Sequence, residues 1–328
     1  MLADVRRLAP GVFLLCLFAL SARGLSRVVG INELLLAIGL GVALANAVGV
    51  DDRLRPGTAT HTLWLGAGIV LLGASVTVDA ILEAGDVVLL LLLGTVTVAL
   101  LTAEALARNA ALPEKLGSLL AAGASICGVS AVVAVGGAVR AKEAQIAYAA
   151  GVVLLVDAIT IVAYPIVGSL LALPADVFGV WTGVSMLSTG PVVAVGFAHS
   201  EVAGQWATTT KLARNTLIGA VALGYAVYYT RRDGGDSVPL SVLWAEFPKF
   251  VVGFLVFIGL ASAGLFSPAQ EASIAEAVEW LFLLAFVGLG TEIRIDDLRK
   301  TGVRPALVVF VTMLLVSALS LSVALAVL

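Results

Sequence analysis

The chain has 328 residues, 60% of them hydrophobic and only 12% charged, with a mean hydropathy of +1.09 and a formal net charge of −3. Soluble domains carry about 25% charged residues, so the composition excludes an ordinary soluble fold and leaves no polar stretch long enough for a separate soluble domain. A single membrane domain over residues 1–328 is expected, and a Lys/Arg-rich face for nucleic acid is absent.

Taken in chain order, apolar runs bounded by charges or by Pro and Gly mark eleven candidate spans. They cover about 9–23, 30–48, 60–78, 85–107, 116–138, 143–169, 177–198, 204–229, 243–264, 274–292 and 303–327. The first is short and the seventh interrupted, so ten spans remain an alternative. Residues 11–22 also have the look of a signal-peptide core after Arg6 and Arg7; retention as a first membrane helix is the expectation. With eleven spans, thirteen Lys and Arg of the short loops fall on the side of the N-terminus and four on the other. The positive-inside rule then puts the N-terminus in the cytoplasm of a multi-pass plasma-membrane protein. The longest polar loop runs from Arg231 to Ser237.

Cys16 and Cys127 lie far apart within apolar segments, and His61 and His199 lie near segment ends. A disulfide, zinc or haem site has little to build on, and no cofactor is expected.

Two internal echoes stand out. Residues 72–85 resemble residues 289–302, at the ends of spans that cross in opposite directions, as an inverted repeat requires. Ser125 and Val132-Val-Ala-Val-Gly136 are matched by Ser185 and Val192-Val-Ala-Val-Gly196, in spans that run parallel. The two offsets differ, so one duplication does not produce both.

The fifth span is interrupted by Gly123-Ala-Ser-Ile-Cys-Gly-Val-Ser-Ala131, small and hydroxylated residues where lipid alone would favour Leu, Val and Ile. Irregular backbone at membrane depth is tolerated where protein shields it or where it lines a cavity. Secondary transporters hold solutes at such interrupted helices. In the seventh span, Ser185, Ser188 and Thr189 precede Gly190-Pro191, a second expected break, since proline removes a backbone donor. Gly288–Ile293 is a weaker third.

Asp157 falls about 16 Å into a hydrocarbon core about 30 Å thick, counting at about 1.5 Å per residue. A carboxylate there should face the protein interior, either as a coupling-ion or proton site or as a structural group. Lys211 and Arg214 share a helix face with Thr208 and Asn215, and Arg214 reaches about 15 Å by the same count. Arg214 could therefore pair with Asp157. Either cation could also snorkel or anchor an anion, because a guanidinium fork matches oxyanion geometry. The candidate solute contacts are Ser125, Cys127, Gly128, Ser130, Ser185, Ser188, Thr189, Lys211 and Arg214, with Asp157 for the coupling ion, H⁺ or Na⁺.

At these residues the chain resembles the YeiH-like family of bacterial and archaeal membrane proteins, which carries the label of sulfate exporters. Ser125-Ile-Cys-Gly-Val-Ser-Ala131 resembles its most distinctive motif. Tyr164-Pro165, Phe178-Gly-Val-Trp-Thr-Gly183, Lys211-Leu-Ala-Arg214 and Gly288-Leu-Gly-Thr291 follow in matching order, with Ala37–Gly41, Asn46 and Leu71–Gly73 in front. The resemblance covers almost the whole chain. It implies the fold of the bile-acid, arsenite and riboflavin transporter superfamily, with inverted five-helix repeats and crossing broken helices. One departure is notable: the family pattern has His-Asp where Leu187-Ser188 stand, and Gly where Asp157 stands. A buried carboxylate has thus moved from the seventh segment to the sixth.

The expected class is an all-α polytopic membrane protein of 10–11 spans acting as a secondary transporter of a small anion, with sulfate as the inherited solute. The alternative is a proton- or sodium-coupled cation exchanger using Asp157. Nucleotide and zinc-protease fingerprints are missing from the sequence, and no His lies near a span centre to activate a serine, so no enzyme is expected. The expected partners are the lipid bilayer and a small anionic solute, with homodimerisation left open.

Overall fold

A computed structural model describes residues 2–29, 31–75, 85–233, 249–296 and 302–328. Among these residues the regular structure is all helical. In chain order the helices are α1 (Leu2–Val29), α2 (Glu33–Ala43), α3 (Arg55–Thr58), α4 (His61–Leu72), α5 (Gly85–Asn109), α6 (Glu114–Ser125), α7 (Val129–Ala138) and α8 (Glu143–Leu170). They continue as α9 (Ala175–Ser185), α10 (Thr189–His199), α11 (Glu201–Asn215), α12 (Ile218–Asp233), α13 (Lys249–Ser262), α14 (Pro268–Glu292) and α15 (Val303–Val327). Five stretches are long and apolar enough to cross a membrane: Arg6–Val29, Leu90–Asn109, Ala144–Leu170, Pro268–Glu292 and Val303–Val327. Other expected spans are built from shorter pieces. Residues 116–138 divide into α6 and α7, 177–198 into α9 and α10, and 204–229 into α11 and α12.

The helix boundaries follow local chemistry. Asn32 caps α2 by accepting from the Leu34 amide at 2.8 Å, and Ser200 caps α11 by accepting from Ala203 at 3.1 Å. Ser267 and Gln270 form a capping box before Pro268, which occupies the first turn of α14, where a missing N–H costs nothing. α14 runs without interruption through Gly288 and Gly290 to Glu292, so the third expected break is not one. The glycines serve packing instead.

The chain divides into two compact units, Met1–Glu83 with Lys249–Ile295, and Ala84–Pro248 with Asp296–Leu328. In the first, α14 packs against α2 and α4. A Cβ on Gly41 would lie 2.2 Å from the Val287 carbonyl oxygen, and one on Gly290 would lie 2.3 Å from that of Ile38. The two backbones therefore touch where only hydrogen atoms intervene. Arg23 ties three helices of this unit together, bonding Glu33 of α2 and Glu279 of α14 while lying 4.3 Å over the Trp280 ring. His61, buried at the start of α4, has Nε2 3.5 Å from Oε1 of half-exposed Glu292.

The second unit contains both interrupted segments. α9 and α10 pack along α11, α6 packs against α5 and α8, and α15 lies against α5 and α9. Trp181 donates from Nε1 to the Ser317 carbonyl at 3.0 Å and stacks on Tyr164 at 4.3 Å. The Arg231–Ser237 loop beyond Asp233, and residues 76–84 and 297–301, which hold much of the first internal echo, lie outside the described residues.

Replacing Gly41 by Val should cost about 1–3 kcal/mol through forced separation of α2 and α14. Gly39→Ala, on the same helix with open space at its Cβ, should be close to neutral. Thermal unfolding of both variants in detergent checks the contrast.

Candidate functional site at two helix breaks

The two interruptions have the same construction. α6 ends at Ser125 and α7 starts at Val129; α9 ends at Ser185 and α10 starts at Thr189. The offset from Ser125 to Ser185 equals that from Val129 to Thr189, so the second internal echo marks equivalent positions in two interrupted helices. At the first break Gly128 has φ +56°, and a Cβ there would lie 2.1 Å from Ser188 Oγ and 3.0 Å from Val153. Conformation and space both demand glycine. The second break falls at 186–188, ahead of Gly190-Pro191 and not at it. Pro191 sits in the first turn of α10, where an absent N–H removes no intrahelical bond. The proline marks a helix start.

A broken helix exposes unpaired carbonyls at one end and unpaired amides at the other. The carbonyl ends are held by two fully buried cations of α11. Lys211 Nζ donates to the carbonyls of Ile126 and Met186, each at 2.9 Å, and to that of Leu187. These use all three ammonium protons. Arg214 donates from Nε to Ser125 O at 2.7 Å and from Nη2 to Ala124 O at 2.9 Å. Its Nη1 reaches Val184 O at 2.5 Å and Met186 O at 2.9 Å. Each cation thus bridges both breaks. Positive charge also complements the negative ends of α6 and α9.

This decides two alternatives that the sequence left open. Neither cation snorkels, since Lys211 and Arg214 are 0% and 1% exposed. Nor does Arg214 form an ion pair with Asp157 among the described residues: its guanidinium is spent on four carbonyls. Counting residues along a helix does not give rotation about its axis, which is what decides these contacts.

Asp157 of α8 lies instead at the amide end of the second break. Its Oδ1 accepts from the Ser188 amide at 3.2 Å, a carboxylate at a helix N-terminus, where the dipole favours it. Position 157 thus touches position 188. Among the described residues, Asp157 Oδ2, Ser188 Oγ, Thr210 Oγ1 and Asn215 Oδ1 are buried without a hydrogen-bond partner. Cys127 Sγ lies 3.3 Å from Thr189 Oγ1, which also accepts from Asn215 Nδ2 at 3.1 Å. The first amides of α7, from Val129 to Ala131, and those of Thr189 and Gly190 in α10 receive no side-chain cap.

The candidate residues sort accordingly. Cys127, Gly128, Ser188, Thr189, Lys211, Arg214 and Asp157 are brought together at the breaks. Ser125 and Ser185 are there too, but their hydroxyls donate back to Ala122 O and Trp181 O of their own helices, and Ser185 also accepts from Tyr164. Such back-bonding is common for hydroxyls within helices. Ser130 is exposed, one residue into α7 from its start. Thr210 was not singled out from the sequence, and Asn215 only as a neighbour of the two cations on their helix face. The signal available was their place beside Lys211 and Arg214 on one short polar helix.

Arg214→Met should strand four buried carbonyls, at about 1–3 kcal/mol each before relaxation. A loss larger than that of Asp157→Asn is expected in thermal unfolding of the purified protein. A double-mutant cycle of Arg214 with Asp157 should give a coupling of about 1 kcal/mol, from charges that act on each other without a hydrogen bond between them. A coupling of several kcal/mol would restore the direct pair.

The family model described as conserved hypothetical protein 698 matches residues 10–309. A UPF0324 membrane protein of Nitratidesulfovibrio vulgaris is 30% identical over 309 residues, covering 89% of this chain and 86% of the relative. Another from Vibrio vulnificus is 30% identical over 295 residues, covering 87% and 90%. The chain also spans 52% of a longer relative from Nitratidesulfovibrio vulgaris, at 32% identity. No solved structure matches the chain. The YeiH-like resemblance agrees with these matches, and the chain belongs to the conserved hypothetical protein 698 family of UPF0324 membrane proteins.

Proposed function

We propose that the protein is a secondary transporter of a small oxyanion, held at the amide ends of α7 and α10 and coupled to protons through Asp157. The observation that carries this reading is the division of labour at the breaks. Lys211 and Arg214 occupy the carbonyl ends, while the first amides of both following helices receive no side-chain cap. Helix N-termini with free N–H groups bind oxyanions through aligned donors and the positive end of the dipole. The hydroxyl of Ser188 stands at the same place, beside Asp157.

In this reading the cations act on the solute through the backbone. By holding the helix ends apart from one another's acceptors, they keep the amides free, and they add positive potential in a region of low dielectric. Asp157 supplies the coupling. Its carboxylate sits at the N-terminus of α10 and repels any anion drawn to the same amides. Protonation of Asp157 removes that charge, so proton and anion bind together and move in the same direction. Sulfate is the solute suggested by the YeiH-like resemblance, and its tetrahedral oxygens suit amides converging from two helices.

One observation favours a second reading. Asp157 Oδ2, Ser188 Oγ, Thr210 Oγ1 and Asn215 Oδ1 are all unpartnered oxygens able to accept or coordinate. They fit a sodium- or proton-linked cation exchanger in which Lys211 and Arg214 are purely structural.

Flux into liposomes separates the two. Labelled sulfate should accumulate faster when the side of addition is acidic, and Asp157→Asn should still transport but lose the gradient dependence. Gly128→Val should abolish uptake. Sulfate flux equal to that of protein-free liposomes, together with protein-dependent sodium uptake, would replace the anion reading with the exchanger.

A further inference from the structure

A second polar cluster lies within the unit that holds the breaks. It is built on Glu104 of α5. Glu104 Oε1 accepts from Ser118 Oγ of α6 at 2.7 Å and from Tyr225 OH of α12 at 2.8 Å. Ser118 also lies 3.1 Å from Tyr229 OH. Oε2 is left with a single contact, Arg108 Nε at 3.8 Å, too long for a good hydrogen bond. A carboxylate kept largely inside a membrane helix bundle marks a functional site by default.

Glu104 opens onto a cavity of about 430 Å³ between α5, α6 and α12. The cavity has two chemically different halves. Toward the middle of the helices its walls are apolar: Leu100 and Leu101 on one side, Ala220, Val221 and Gly224 on the other. Toward the helix ends it carries Glu104, Glu114 and Arg108, flanked by Tyr225, Tyr228 and Tyr229. Ala220, Gly224 and Tyr228 form an exposed stripe at four-residue spacing along α12, so the apolar half opens outward and is not sealed by protein. Glu104 lies five residues from Asn109, the end of α5, or about 7 Å along the axis. Asn109 also ends the apolar stretch Leu90–Asn109, so Glu104 stands near the end of a stretch long enough to cross a membrane, where lipid headgroups are within reach.

We infer that this cavity is a binding site for an aminophospholipid of the phosphatidylethanolamine type. The ammonium would be accepted by Glu104 Oε2 and rest against the tyrosine faces, which attract cations. The phosphate would be met by Arg108, whose side chain is 71% exposed and free to turn. One acyl chain would follow the stripe past Gly224 and Leu101. Glu114 is bonded by Arg232 and Tyr228, so Glu104 is the lining carboxylate left to meet an amine, beside the Arg108 guanidinium that suits a phosphate.

Native mass spectrometry of the purified full chain tests this with dioleoyl phosphatidylethanolamine, dioleoyl phosphatidylglycerol and chain-free glycerophosphoethanolamine. Wild type should bind the ethanolamine lipid more tightly than the glycerol lipid and should ignore the chain-free headgroup. Glu104→Gln keeps an acceptor for Ser118 and Tyr225 but removes the charge. It should weaken the ethanolamine lipid about tenfold, the scale of one charged hydrogen bond, and leave the glycerol lipid unchanged. Gly224→Leu, at a position where a Cβ meets open space, should weaken both lipids by filling the groove. It decides the matter if Glu104→Gln fails to fold. Equal binding of the two lipids by wild type, or unchanged ethanolamine-lipid binding in Gly224→Leu, would overturn the site. Competition by the chain-free headgroup as strong as that of the whole lipid would overturn the lipid as its occupant.

Discussion

A membrane helix that stops midway leaves backbone groups facing a medium that cannot hydrogen-bond them. The second unit of this protein contains two such stops side by side, and everything around them follows from how their polar groups are met. The carbonyl ends receive seven donors from two side chains of a single helix, three from Lys211 and four from Arg214. Burying two cations costs several kcal/mol per ion. That cost is offset only because saturated hydrogen bonding and helix dipoles surround them. The same bonds fix the positions of both breaks relative to α11, which turns two flexible interruptions into one rigid piece of architecture.

Rigidity at the carbonyl ends has a consequence at the amide ends. α7 and α10 begin within three residues of the held carbonyls, so their first turns are positioned as firmly as the cations themselves. Gly128 lets the backbone turn at positive φ and lets Ser188 approach without a side chain between them. Asp157 of α8 then accepts from the Ser188 amide at the second break. The result is a polar region with its negative backbone ends neutralised by fixed cations and its positive ends shared between a carboxylate and uncapped amides. A solute that carries negative charge must contend with Asp157; one that carries positive charge must contend with Lys211 and Arg214. Coupling to a proton resolves the first conflict, and nothing comparable resolves the second.

Much of this was readable in the residues. Composition established the membrane class. The run Gly123–Ala131 marked the first break within three residues, because a helix that only faces lipid would carry Leu, Val and Ile there. The match of Ser125 and Val132–Gly136 with Ser185 and Val192–Gly196 falls on equivalent positions of the two breaks, whereas the expected second break at Gly190-Pro191 lay slightly beyond the observed one. Proline misled because its meaning depends on whether it stands before, within or at the start of a helix. The partners of Lys211, Arg214 and Asp157 were not readable. Counting residues gives height in the membrane, but contacts depend on rotation about each axis and on which neighbouring helix ends there. The bonding of Ser125 and Ser185 to their own helices was hidden for a similar reason, since a hydroxyl facing a cavity and one folded back on its helix have the same sequence. Gly290 read as part of a third break and turned out, with Gly41, to form a close backbone contact.

The central claim is that the amides opening α7 and α10 are free for solute because the cations are engaged elsewhere. Hydrogen–deuterium exchange of the reconstituted protein, with and without saturating sulfate, measures this most directly. Slower exchange confined to residues 129–131 and 188–190 on adding sulfate is the predicted result, with the carbonyl-capping region of α11 unchanged. Sulfate-dependent protection around Lys211 and Arg214, with none at the two helix starts, would contradict the account.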